Sequence, residues 1–236
     1  MATFKVDVEG YVGTFSDTTS LDTWLTAAAK LLVNLTPPHR LQQVAASVVV
    51  TGSGLDISGY RFVDAFNGGY SCRMIEPGKA TQAALSTSLE YAVATSPVCY
   101  VRDTKLYILP IAGSPAASLV AYPTVANTDS AVATLPPEFR HLIVLYAAIQ
   151  AKLQIIKTST ATYVTALATD FTNLATDIRT DEDLEKAQGQ LGRISGYIQQ
   201  QQTEIGSMNA QLAAMRAEWD KLLTLTLGIK AEKEQK

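Results

Sequence analysis

The fold is decided by residues 142–174, LIVLYAAIQAKLQIIKTSTATYVTALATDFTNL, together with residues 187–219, AQGQLGRISGYIQQQQTEIGSMNAQLAAMRAEW. In both stretches, apolar residues recur at alternating spacings of three and four, the heptad pattern of a coiled coil. Read in opposite directions, the two patterns match, and the numbers of each facing pair sum to 361. The facing pairs include Leu142 with Trp219, Tyr146 with Met215, Thr160 with Gln201, and Leu174 with Ala187. We therefore predict an antiparallel helical hairpin over residues 136–222, with arms about 60 Å long.

One uninterrupted helix through both stretches is the alternative, and the phase of the apolar positions opposes it. Continuing the first seam from Ile178 by one heptad reaches Glu185 rather than Leu184. Thr180 followed by Asp183 is a capping signal for a second helix, and acidic residues favour a helix N-terminus. We expect the polar tip between the two arms to face solvent or a partner.

The predicted seam has two irregularities. Asp170 occupies a core position, and we expect the neighbouring Phe171 to be able to turn inward there. Three glycines on the opposite arm, Gly189, Gly192 and Gly196, would make room for large side chains. Each glycine costs about 1 kcal/mol in a helix, which a packing gain would offset. Local flexibility near the tip is the alternative explanation.

The first 134 residues indicate a small antiparallel β domain with short helices. Phe4–Val12 alternates apolar and polar residues and predicts a short strand or an ordered arm. Ser20 is a predicted N-cap for a helix over residues 21–35, and a short helix could follow Pro37. A further helix is predicted over Thr81–Thr95.

The strands of this domain are predicted from short β-prone runs bounded by turn residues. They are Val48–Thr51, Leu55–Ile57, Phe62–Phe66, Tyr70–Ile75, Val98–Val101, Leu106–Leu109 and Leu119–Tyr122. Asn67-Gly-Gly69 and Arg102–Lys105 have the composition of hairpin turns.

Together these patterns predict an α+β protein with two domains, residues 1–134 and 135–236. After the hairpin, Leu223–Ile229 alternates with period two and predicts a strand that returns to the sheet. A helix end buried on all sides is the alternative. Residues 231–236 are predicted to be a solvated tail.

The composition is poor in charge. The chain is 47% hydrophobic and 17% charged, whereas soluble domains average about 25% charged residues. The arm over residues 136–178 has few charged residues, namely Glu138, Arg140, Lys152, Lys157, Asp170 and Asp177. Part of this surface is therefore predicted to contact other protein; an uncharged threonine-rich surface without a partner is the alternative.

The sequence does not predict an enzyme. The Gly78-Lys79 pair lacks the earlier glycine of a phosphate loop, because that position is Arg73. Neither His39 nor His141 has neighbours spaced to form a metal site. We therefore predict no catalytic, cofactor-binding or metal-ligating residues.

The cysteines, the charge and the hydropathy argue against several other classes of protein. Cys72 and Cys99 lie 27 residues apart, which fits neither a disulfide framework nor a metal site, and we expect buried free thiols. The net charge is −3 and no Lys/Arg cluster occurs, which argues against nucleic-acid binding. The sequence shows no signal peptide and no apolar run that predicts a membrane span, so we expect synthesis in the cytoplasm.

Residues 105–157 resemble a known class of proteins. The features are Lys105-Leu-Tyr-Ile-Leu-Pro110, then Tyr122, Asp129-Ser130, and Leu135-Pro-Pro-Glu-Phe-Arg-His-Leu-Ile-Val-Leu-Tyr-Ala-Ala148. This stretch resembles virion structural proteins of tailed bacteriophages, particularly head-to-tail adaptor or neck proteins. The resemblance implies a non-catalytic homo-oligomeric ring, twelvefold by analogy, between portal and tail proteins in the virion. The long hairpin departs from the pattern.

The sequence is compatible with two other functions. Another tail or fibre-attachment protein of a virion would fit the same features, and threefold assembly would favour it. A hairpin pore former would need an apolar tip, and the tip at residues 179–183 is polar.

Overall fold

A computed structural model describes residues 2–132, 135–179 and 184–227. It confirms an α+β fold with two long helices and two sheets, whose strands pair antiparallel except for one parallel pair. The chain divides into two compact units. The first, which we call the hairpin unit, combines the residues up to Leu25 with those from His141 onward. The second, the β unit, comprises Thr26–Arg140.

The N-terminal segment Phe4–Val12 is a helix, α1, so the predicted strand or arm is wrong. Thr3 caps this helix by accepting a hydrogen bond from the Val6 N–H (3.5 Å). Phe4 and Val8 are buried, whereas Val6 is exposed. The buried positions are four residues apart, which is the spacing of one helix face. The segment is so short that its apolar residues also alternate as in a strand, and this is why the sequence predicted a strand.

Helix α2 spans Thr18–Leu35, and its cap differs from the predicted one. Asp17 accepts hydrogen bonds from the N–H (3.0 Å) and the hydroxyl (2.6 Å) of Ser20, so the helix begins before Ser20. A carboxylate suits this position because a helix N-terminus favours negative charge. The predicted short helix after Pro37 is present as α3, Pro38–Leu41.

Within the described residues, eight strands form two four-stranded sheets in the β unit. They are β1 Ala46–Val49, β2 Leu55–Asp56, β3 Tyr60–Asn67, β4 Tyr70–Ser71, β5 Arg73–Met74, β6 Val98–Arg102, β7 Lys105–Leu109 and β8 Ala116–Ala121. The strand orders are β1-β8-β3-β4 and β2-β7-β6-β5. The core of this unit takes buried residues from both sheets, including Ala65, Cys99, Leu106 and Leu119.

Both predicted β-hairpins are confirmed. β3 and β4 flank Gly68 and Gly69, which have φ values of 59° and 89°. β6 and β7 flank Asp103 and Thr104, with φ values of 51° and 64°. Two consecutive positive φ values match the right-handed twist of a tight hairpin, and glycine adopts them without steric cost.

Two predicted elements of this unit are wrong. Tyr70–Ile75 is not one strand, because β4 and β5 belong to different sheets. The helix expected over Thr81–Thr95 is limited to α4, Ala80–Ala84. Further along, the hydroxyl of Ser88 accepts the Glu90 N–H (3.1 Å). Such local side-chain bonds compete with helix formation.

Helices α5 (Arg140–Arg179) and α6 (Leu184–Leu227) form the long antiparallel pair. Contacts between their side chains are His141–Glu218 (3.1 Å), Tyr146–Trp219 (6.4 Å between ring centroids), Tyr163–Glu204 and Asp170–Arg193 (2.6 Å). From the start of α5 to its end, the contacted residues move from the end of α6 towards its start. The helices are therefore antiparallel, and the contacts lie close to the predicted register. They confirm the hairpin and exclude the uninterrupted helix. The predicted cap at Thr180 and the tip at 181–183 lie outside the described residues.

Burial along the distal part of α5 follows the predicted seam. Between residues 157 and 176, the side chains that are at least partly buried are Ser159, Thr160, Tyr163, Leu167, Asp170 and Leu174. All of them except Ser159 are predicted seam positions. On α6, the predicted seam residues Leu191 and Ile198 are exposed.

Asp170 is buried in the seam because Arg193 of α6 bonds to its carboxylate. Phe171 does not turn inward, and 51% of its surface is exposed. The glycines of α6 do not make room for another side chain either, because an added Cβ would meet nothing within 4 Å. These glycines are Gly189, Gly192 and Gly196.

Helix α6 continues to Leu227, so the strand predicted from Leu223 onward is wrong. Extending an existing helix adds one hydrogen bond per ordered residue, and this outweighs a short period-two pattern. The alternative, a helix end, is confirmed, but its predicted burial on all sides is wrong, since Leu225 is 68% exposed. Residues 228–236, including the predicted tail, lie outside the described residues.

Candidate functional site

The two histidines lie in different units. His39 is in α3 of the β unit. His141 Nε2 lies 3.1 Å from Glu218 Oε1 and joins α5 to α6 at a half-exposed position. Within residues 2–132, 135–179 and 184–227, no group of three or more His, Cys, Asp or Glu side chains is placed to hold a metal ion.

The Gly78-Lys79 pair belongs to a short 3-10 turn, Pro77–Lys79. Lys79 Nζ lies 3.9 Å from one carboxylate oxygen of Glu90, and Arg73 lies 3.7 Å from the other. These ion pairs connect the turn to the irregular segment after α4. Lys79 therefore has a structural contact in the β unit.

The two cysteines are poor nucleophiles. Both are free, with Cys99 buried and Cys72 partly buried. Burial, and to a smaller extent the nearby Cys99 and Asp64, raises the pKa of Cys72 to about 12. Burial and Asp64 raise the pKa of Cys99 to about 11. Because the thiolate is the reactive form, both side chains are unreactive thiols at neutral pH.

Two cavities of the described residues have no group of catalytic side chains in their lining. In the β unit, a cavity of about 250 Å³ lies beside the ion pair of Arg40 and Glu138 (3.6 Å). Thr36 lines it, and its hydroxyl donates to a carbonyl of α2 (2.6 Å). In the hairpin unit, an open groove of about 610 Å³ is lined by Trp24 of α2 and Lys157 of α5.

A line of threonines, which we call the threonine stripe, runs along α5. Its members are Thr158, Thr162, Thr165, Thr169, Thr172 and Thr176, all exposed. Their alternating spacings of four and three keep them on one side of the helix, opposite the seam. Five of the hydroxyls, all except that of Thr158, donate to the carbonyl four residues earlier at 2.8–3.1 Å. The helix therefore satisfies these donors, and the outward surface consists largely of methyl groups.

The outer side of α6 carries a second uncharged line, which we call the glycine stripe. Its members are Gly189, Gly192, Gly196, Gln199, Thr203, Ser207 and Ala210, all exposed. The spacing is again three or four, and the line lies opposite the α6 seam. Because each stripe lies on the side of its helix away from the other helix, the two form opposite edges of the hairpin.

The distal hairpin combines low charge with exposed apolar side chains. Between Thr158 and Thr176, the charged residue is Asp170, which is only 6% exposed and paired with Arg193. The large apolar side chains exposed in this region are Val164, Phe171, Leu191, Tyr197 and Ile198. The heptad pattern placed Leu191 and Ile198 in the seam, so the sequence did not predict that these two side chains are exposed. The off-seam positions of Phe171 and Val164 were a signal that could have been used.

One helix in the described part of the chain, Pro137–Thr176, is long and apolar enough to cross a membrane by length and composition. In its most apolar 18-residue window, 56% is buried within the protein. A buried core helix meets the same criteria, so this is weak support for a membrane role.

No protein-family model matches the chain, and no curated protein matches it.

Proposed function

We propose that this chain is a non-enzymatic structural subunit that assembles with copies of itself into a ring. The ring would be a head-to-tail adaptor or neck of a tailed bacteriophage, with portal and tail proteins as partners. The single observation that carries the ring is the pair of uncharged stripes on opposite edges of the hairpin. The resemblance of residues 105–157 to phage adaptors supports location in the virion after synthesis in the host cytoplasm.

A closed ring needs a heterologous contact, in which one surface of each copy meets a different surface of the next. The threonine stripe and the glycine stripe provide two such surfaces. The glycines leave open space at the outer side of α6, so the backbone of a neighbouring helix could approach closely. A close contact between subunits would also offset the helix cost of the glycines, about 1 kcal/mol each.

The test compares a stripe variant with a matched control in the full-length chain. T165K combined with T169K places two charges in the threonine stripe. T23K is the control, because Thr23 is an exposed helical threonine with the same bond to a carbonyl four residues earlier (3.0 Å) and lies outside the stripe. Native mass spectrometry and electron microscopy at high protein concentration would measure ring formation.

We expect rings from the wild type and from T23K, and no rings from the double variant, with an unchanged helix signal in all three. Rings that persist in the double variant would refute the proposed contact. A reconstruction in which the threonine stripe faces solvent would also refute it. A threefold assembly would favour the alternative, a tail or fibre-attachment protein.

A further inference from the structure

The first sheet of the β unit has an open edge at β1. Among the described strands, β1 pairs with β8 alone. The Val50 N–H donates to the Pro115 carbonyl (2.9 Å). Because bonding residues alternate along an antiparallel strand, the N–H and C=O groups of Ser47 and Val49 point away from β8.

Among residues 2–132, 135–179 and 184–227, this edge lacks the features that usually protect an open strand, which are lysines, prolines, bulges or a covering element. Val49 is 69% exposed. From Leu41 to Leu55 the chain has no charged residue and no proline, and the nearest charges are Arg40 and Asp56. The other edge strands, β2, β4 and β5, are only two residues long, so β1 is the longest edge strand of the described sheets.

We propose that β1 pairs with β1 of a second copy of this chain, antiparallel about a two-fold axis at Val48. In this register Ser47 lies opposite Val49 of the partner subunit, so the outward N–H and C=O groups of both residues are bonded. The paired strands join the two four-stranded sheets into one continuous sheet.

The absence of charge favours a second copy over an unrelated strand. A two-fold axis places each residue near its own duplicate, so a charge close to the axis would meet the same charge. An uncharged span from Leu41 to Leu55 avoids this repulsion. The contact goes beyond the proposed ring, because it lies in the β unit and is symmetric, whereas the ring contact lies in the hairpin and is heterologous.

Amide hydrogen exchange of the full-length chain, detected by NMR over a range of protein concentrations, tests the pairing. We expect the amides of Ser47 and Val49 to become protected as concentration rises. The Val48 amide, which faces β8, should be protected throughout. Exchange of the Ser47 and Val49 amides that does not depend on concentration would overturn the proposal, whether or not rings form. T165K combined with T169K should leave this protection unchanged.

Charge variants test the two-fold register by sedimentation. S47K and S47E should each weaken dimerisation by at least about tenfold, because like charges then meet near the axis. An equal mixture of S47K and S47E should restore it, since the introduced charges then attract. S58K, at an exposed position outside the strand, is the control and should dimerise like the wild type.

Two results from this series would overturn the proposal. The first is a mixture of S47K and S47E that stays monomeric. The second is undiminished dimerisation of V49P, because proline at this edge position removes an outward N–H and leaves the bonds to β8 in place.

Discussion

The hairpin unit and the β unit are stabilised in different ways. Along the hairpin, each stretch of α5 contacts the stretch of α6 that faces it, and most distal seam residues are only partly buried. In the β unit, β1 and β3 both pair with β8, which is distant in the chain. Its core residues Ala65, Leu106 and Ala117 are fully buried. Each layer of hairpin contacts therefore stabilises only its own part of the two helices, whereas the β core is stable only when all of its strands are in place.

This difference indicates where assembly surfaces arise. A pair of helices can bury only one side of each helix, so the outer sides remain available to other proteins. In the β unit, the edge strand β1 instead offers outward backbone N–H and C=O groups. The two proposed contacts use these two kinds of surface.

The largest expected effect on stability follows from disrupting one buried layer of the seam. Leu212→Asp places a carboxylate in the seam, where Leu212 is buried. An uncompensated buried charge costs about 3–5 kcal/mol, so we expect the hairpin to unfold or melt far below the wild type in circular dichroism. Leu225→Asp is the control, because Leu225 is exposed on the same helix. Equal melting temperatures for the two variants would contradict the seam.

Replacing a glycine by alanine should change the stability of the protein in opposite directions in the two units. Gly113 of the β unit has φ +115°, and an added Cβ would collide with the Asn67 side-chain oxygen. Gly113→Ala should therefore cost about 1–3 kcal/mol. Gly192→Ala in the hairpin meets open space and should stabilise the single chain by about 0.5–1 kcal/mol while weakening the proposed ring. Denaturant unfolding of both variants measures the contrast, and a destabilising Gly192→Ala would show that the glycine is needed within the chain.

The buried ion pair should show strong coupling between its partners. Arg193→Ala leaves the Asp170 carboxylate buried and unpaired, and we expect a cost of about 1–2 kcal/mol because Arg193 itself is largely exposed. Asp170→Leu combined with Arg193→Leu should be close to neutral, since both polar groups leave together. A double-mutant cycle in urea measures the coupling. If the two single changes simply add, the pair does not hold the register.

The smallest expected effect is a weakening of the hairpin unit in acid. Bonds from Ser20 hold the pKa of Asp17 below its usual range, and the Tyr163 hydroxyl does the same for Glu204. A lowered folded-state pKa contributes stability that is present above the unfolded pKa, about 4 for both groups. This stability is lost as the pH falls through the folded value. We expect the melting temperature to fall below about pH 4, and to fall less in D17N; identical pH profiles would contradict this.

Particular residues show how far the chain could be interpreted without its structure. The repeat from Leu142 to Trp219 determined the long helices, their direction and nearly their register, because each seam residue meets its partner through a regular local pattern. The threonine stripe could also be predicted, since helical spacing alone places it opposite the seam. Neither the Arg193 partner of Asp170 nor the exposure of Leu191 and Ile198 could be predicted, because rotamer and pairing choices depend on the facing helix.

The sequence by itself therefore determined the α+β class, the hairpin and the charge-poor surface, since all three follow from composition and from a pattern repeated over many turns. Only the tertiary structure decided that Phe4–Val12 is a helix, that β4 and β5 separate into two sheets, and that β1 remains an open edge. The physical reason is length. A short segment has similar local preferences for helix and strand, and its final state is set by which distant part of the chain buries it.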